Sequence, residues 1–149
     1  MKTLGASKQS NSRSQSFSLA QLSKILAVLS LAAIIGIHWL DLPGKMSEVP
    51  YLGYGYIALM VGSVLAAFFI IKDDKQGWWL GTALAFGSIL AYVLNRTVGL
   101  PLAMDDIGNW GETLGVYSLI AESAMLVLGI WVLSRKANQA LEPVQPVEW

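Results

Sequence analysis

The chain contains no cysteine and a single histidine, His38. Disulfides, thiolate metal sites and cysteine nucleophiles are therefore excluded, and bis-histidine haem ligation within one chain is impossible. Charge is also scarce. Charged residues make up 13% of the 149 positions, against about a quarter in a soluble domain. Ten basic residues balance ten acidic ones, so charge gives no argument for nucleic acid as a partner. There is no phosphate-binding loop and no GxGxxG. No credible Ser/His/Asp set exists, because the serines fall mostly near the N-terminus or on apolar faces. An enzyme is not expected.

What the sequence has in excess is apolar surface: 54% hydrophobic residues and a mean hydropathy of +0.53. Four runs are long enough to cross a bilayer, at about 22–40, 52–71, 78–94 and 114–133, since a spanning helix takes about 17–25 residues. In lipid the backbone must satisfy its own hydrogen bonds, so all four are expected as helices. The first run follows a basic stretch, but no small-residue cleavage pattern follows "IHWLDLPG". It is read as a retained span rather than a signal peptide.

The expected fold is all-α, a four-helix transmembrane bundle. Its membrane domain covers 21–136, between a disordered basic arm (1–20) and a flexible tail (137–149). The arm is rich in Ser, Gln and Asn and lacks acidic residues. It has little apolar surface to bury. Eight of the ten Lys and Arg residues lie in the arm, at Lys24 near the start of the first run, in "KDDKQG" or just after the fourth run, and only Lys45 and Arg96 fall in the other two loops. The positive-inside rule then places both termini in the cytoplasm of a cell-membrane protein, with "DLPGKMSEVP" and the 95–112 loop facing outward. Gly77, Gly81 and Ala85 form one small-residue stripe on helix 3, and Ala83, Gly87 and Ala91 another. These suit close helix packing or a homo-oligomer seam, and make helix 3 the expected centre of the bundle.

The functional reading rests on the polar residues at the outward end. Glu122 lies eight residues inside the fourth run, about 12 Å below its start. An ionised acid facing lipid at that depth costs about 2.5 kcal/mol or more, so Glu122 should face the interior with a partner or carry a proton. Candidate partners are Arg96, at the C-terminal end of helix 3, together with His38 and Tyr92. Arg96 can equally act as a cap and snorkel to the surface. With Asn95 and Glu48 these residues form an expected binding cluster: His38, Glu48, Asn95, Arg96 and Glu122. Asp41, Asp105, Asp106 and Glu112 lie on the same side. No metal site is expected, because the possible ligands come from separate loops.

The segments "PGKMSEVPYLGYGYIALMVGSVLAA", "NRTVGLP" and "NWGETLGVYSLIAESAMLVL", with His38 at the end of helix 1, resemble a recurrent set of small bacterial integral membrane proteins with four helices and an Arg-Thr-x-Gly-Leu-Pro turn. The resemblance spans about 22–133. It implies the four-span fold and no particular activity; the cofactor stays unknown. Two function classes compete with a binding role for the polar cluster. One is ion or proton-coupled transport through Glu122. The other is a metal- or redox-associated membrane subunit using His38. Besides the lipid bilayer, a larger membrane complex is a conceivable partner.

Overall fold

The computed structural model describes residues 6–140, with side chains described for 19–135 and 137. Four helices follow one another: α1 (Ala6–Glu48), α2 (Pro50–Ile71), α3 (Lys75–Thr97) and α4 (Thr113–Ala140), with a short 3₁₀ turn at Met104–Asp106. Strands are absent among the described residues. All four helices contain segments long and apolar enough to cross a membrane. The protein is thus an all-α four-helix bundle with the character of a small multi-pass membrane protein. Each helix packs against two neighbours, in the ring α1–α2–α3–α4–α1. Helix α3 is therefore no more central than the others, contrary to the expectation from its small residues.

Every helix runs beyond its expected span, although α2 does so only at its start and stops at Ile71 as expected. Apolar runs mark only the lipid-crossing part, and polar residues at the boundary continue the same hydrogen-bond ladder. The largest difference is in α1, which begins at Ala6 and ends at Glu48 instead of spanning 22–40. Neither Gly nor Pro occurs between Ala6 and Ile35 to interrupt it. At the other end Pro43 sits inside the helix, where a loop is expected from "LPG". The proline ring removes one N–H but leaves the turns on either side intact. Of the expected arm, residues 1–5 lie outside the described residues, as do residues 141–149 of the expected tail.

The two ends of the bundle are joined differently. A single residue, Val49, links α1 to α2; its N–H donates to the Lys45 carbonyl, and it is 4% exposed. At the end nearer the termini, Lys72–Asp74 connect α2 to α3. Asp73 there takes a positive φ of 63°, and Lys24 of α1 lies 2.5 Å from its carboxylate. The Asp74 side chain caps α3 by accepting from the Gln76 N–H.

The core at this terminal end is apolar. Leu31 and Ile34 of α1, Ala66 and Ile70 of α2, Trp78 and Ala85 of α3, and Ala121 and Met125 of α4 are buried together. Glycines set the helix separation. A Cβ on Gly77 would meet the Ile70 nitrogen at 2.5 Å, and one on Gly81 would meet the Met125 methyl at 2.7 Å. The stripe Gly77, Gly81, Ala85 faces this core, whereas Ala83 and Gly87 are exposed on the outside of α3 and the exposed Ala91 borders the cavity at the other end.

Candidate functional site

At the opposite end the helices do not close on one another. They enclose a cavity of about 80 Å³. A buried water needs at least about 10–15 Å³, so this space takes several waters or one small polar molecule. It is too small for a macrocycle. Because α1 continues past Leu40, His38, Asp41 and Lys45 fall at spacings of three and four, and all three line the cavity. Tyr56 comes from α2. Helix α3 contributes Ser88, Tyr92, Asn95 and Arg96, again at helical spacing; Ser118 and Glu122 come from α4.

The mouth is an ionic clasp. Arg96 is 3% exposed. Its Nη1 lies 2.7 Å from Asp106 Oδ1, and its Nη2 pairs with Glu112 Oε2. Asn95 Nδ2 donates to the other Asp106 oxygen at 2.8 Å, and Lys45 Nζ stands 3.6 Å from the same carboxylate. The guanidinium also rests over the Tyr92 ring, 5.0 Å from its centroid. Burial pushes the Asp106 carboxyl up, but the hydrogen bonds from Asn95 and Arg96 and the charges of Lys45 and Arg96 outweigh it. They hold the group below the usual carboxylate range. The chain reaches this position through Gly99, whose φ is 82°. A Cβ there would lie 2.7 Å from the Met104 sulfur, so the turn after α3 needs glycine on both counts.

The floor is Glu122. It is 1% exposed, and Oε1 accepts from Ser88 Oγ at 2.5 Å and Ser118 Oγ at 2.6 Å. Oε2 is buried and has no hydrogen-bond partner. His38 Nε2 stands 3.8 Å from Oε1, beyond hydrogen-bond reach. The other ring nitrogen, Nδ1, lies 2.9 Å from the Ile34 carbonyl oxygen. A carbonyl only accepts, so Nδ1 carries a proton. In the neutral ring Nε2 is then an acceptor turned toward Glu122. The Tyr56 ring meets His38 edge-on at 4.5 Å, and its hydroxyl donates to Asp41 at 2.9 Å.

Of the five residues expected in a binding cluster, His38, Asn95, Arg96 and Glu122 line this cavity. Glu48 does not: its side chain is 67% exposed, with Lys45 Nζ 3.7 Å away. It sits on the last turn of α1, where Val49 takes the buried position. Glu122 and Arg96 do not pair. Arg96 ends α3, while Glu122 is nine residues into α4, about 14 Å deeper. The loop acids Asp106 and Glu112 are nearer to Arg96 and capture it. Of the three candidate partners, His38 is the one that faces Glu122. Arg96 is likewise not a cap that snorkels outward; its side chain folds inward and fastens the loop.

Ser88 and Ser118 were missed. A serine in an apolar helix carries little signal, but depth would have found Ser88: it lies nine residues before the end of α3, as Glu122 lies nine after the start of α4. Ser118 is one turn before Glu122 on the same face. Among the described residues no three His, Cys, Asp or Glu side chains converge as a metal-binding group. No protein-family model matches the chain, and no similar protein was found among curated sequences or solved structures. The resemblance noted from the turn motif therefore carries the four-helix membrane architecture and nothing further.

Proposed function

We propose that this protein is a non-enzymatic cell-membrane protein that binds a small polar ligand in the cavity, with that end facing outward and both termini cytoplasmic. One observation carries the reading: a carboxyl group 1% exposed, with one oxygen unpartnered, forms the floor of a polar cavity. A buried acid with unmet hydrogen-bonding capacity is costly and marks function more often than structure. The core beneath it favours binding over the competing transport role. From Leu31 and Ile70 to Met125 the bundle is closed by fully buried apolar side chains, which give a proton or ion no relay to the other end.

A thermal-shift screen of small polar compounds on the purified protein tests this reading. A stabilising class of compounds should emerge, and its effect should vanish in Ser88→Leu, which fills the cavity. A screen without hits, or hits indifferent to Ser88→Leu, would sink it. Glu122-dependent proton flux in proteoliposomes would favour transport instead. The orientation has its own test, and the absence of native cysteine simplifies it. A cysteine at Ser47 should react with a membrane-impermeant thiol reagent in intact cells, while one at Gln76 should not. The reverse pattern would invert the topology.

A further inference from the structure

The hydrogen-bonding inventory of the cavity narrows the ligand. At the floor, Glu122 Oε2 has no hydrogen-bond partner and is an unmet acceptor when the acid is ionised. His38 Nε2 is a second, because the Ile34 carbonyl fixes the proton on Nδ1. The Ser88 and Ser118 hydroxyls spend their protons on Glu122 Oε1 and keep free lone pairs. Above them Asn95 Oδ1 is also buried without a partner. The fully buried donor without a partner is Arg96 Nε. It lies at the mouth, in a guanidinium already shared between Asp106 and Glu112. Lys45 Nζ, which also lines the cavity, stands 3.6 Å from Asp106 and 3.7 Å from Glu48.

The charges point the same way. Lys45 and Arg96 are the basic residues at this end, and both lie against carboxylates. Asp41, Glu48, Asp105, Asp106, Glu112 and Glu122 are its acids. A mouth with excess negative charge draws in cations. The inner wall adds the Tyr56 ring, an aromatic group of the kind that attracts cations, while the Tyr92 ring already carries the Arg96 guanidinium.

We propose that the cavity takes a small cation bearing several N–H donors, a primary ammonium, whose head group binds Glu122 and His38 Nε2 on the floor. This rests on the binding role proposed above and names its ligand class. A cation without N–H groups satisfies the charge of Glu122 but not the His38 lone pair. An alkali ion prefers oxygen ligands to an imidazole nitrogen. A cavity of about 80 Å³ suits a head group with a short alkyl chain.

Ethylammonium chloride is the probe. Wild-type protein in detergent at pH 7.5 is melted against increasing concentrations, with tetramethylammonium chloride, sodium chloride and n-propanol as controls at matched concentration. Ethylammonium should raise the melting temperature saturably, and the three controls should not. Glu122→Gln should weaken the half-saturating concentration at least tenfold. His38→Leu should weaken it severalfold, and the exposed Glu48→Gln should leave it unchanged. The wild-type comparison needs no variant, so misfolding of Glu122→Gln would not obscure the answer. Equal stabilisation by tetramethylammonium or sodium, or a response that survives Glu122→Gln, would overturn the proposal. If ethylammonium fails while another class stabilises in a Ser88-dependent way, the cavity reading stands and the cation falls. If nothing stabilises, both fall.

Discussion

The two ends of this bundle are held together by opposite means. At the terminal end, glycine brings backbones close and fully buried aliphatic side chains fill the remaining space, as at Gly77 with Ile70 and Gly81 with Met125. At the cavity end the helices surround an unfilled space and are tied by charge, with Arg96 gathering Asp106 and Glu112 from the connecting loop. Helices in lipid gain no hydrophobic drive toward one another. A dry end must therefore pack tightly, and a wet end must satisfy its polar groups. The contrast teaches where tolerance lies: the packed end fixes the scaffold, and the polar end can vary its ligand chemistry.

The first way to break this contrast is Arg96→Ala. It strands Asp106 and Glu112 without their cation, and removing one partner of a buried pair costs about 3–5 kcal/mol. Thermal unfolding in detergent should show the largest loss of any single change discussed here. Arg96→Lys should recover only part of it, because an ammonium lacks the planar fork that reaches two carboxylates. A loss under about 1 kcal/mol, the range of exposed pairs, would mean that the clasp does not hold this end.

Met125→Ala probes the other end. It should cost near the lower limit of the about 2–5 kcal/mol seen for large-to-small core changes, since neighbours at Gly81 leave room to relax. It should leave ethylammonium binding unchanged. Loss of binding would show that the two ends are not independent.

Asp106→Asn should cost about 1–2 kcal/mol at neutral pH, as a hydrogen-bonded charge is lost. The carboxyl is held below its ordinary value. Its contribution is therefore present above the unfolded value of about 3.9 and disappears as pH falls through the lower folded value. The melting-temperature gap between wild type and Asp106→Asn should close as pH drops below about 4. A gap that persists in acid would assign the effect to shape rather than charge.

The smallest expected effect is a coupling near zero. Arg96 and Glu122 belong to the mouth and the floor, so Arg96→Ala and Glu122→Gln should add within about 0.3–0.5 kcal/mol. Ser118→Ala with Glu122→Gln should deviate from additivity by about 0.5–3 kcal/mol, because those groups touch. Swapped results would merge mouth and floor into one network.

The same division explains what the sequence disclosed. The four spans were legible because lipid demands long apolar runs, and four of the five cluster residues stood out as polar groups in or beside such runs. Partnership was not legible. Whether Glu122 meets Arg96 or Ser88 depends on how α3 and α4 are set in depth, and composition is silent on that. Glu48 was misplaced for a related reason. "LPG" reads as a loop, whereas α1 continues through Pro43 and carries Asp41 and Lys45 into the cavity wall in its stead.

The one-residue link at Val49 bears on how the protein is made. Adjacent Cα atoms are about 3.8 Å apart, so α1 and α2 are joined too tightly for one to sit across the bilayer while the other waits in water. We expect the pair to enter the membrane together, as a single helical hairpin during synthesis. Lengthening the link with a short Gly-Ser insert after Val49 should let α1 span without α2. Protease protection of nascent chains stalled at successive lengths would reveal that as a new intermediate; its appearance in the unmodified chain would rule out concerted entry.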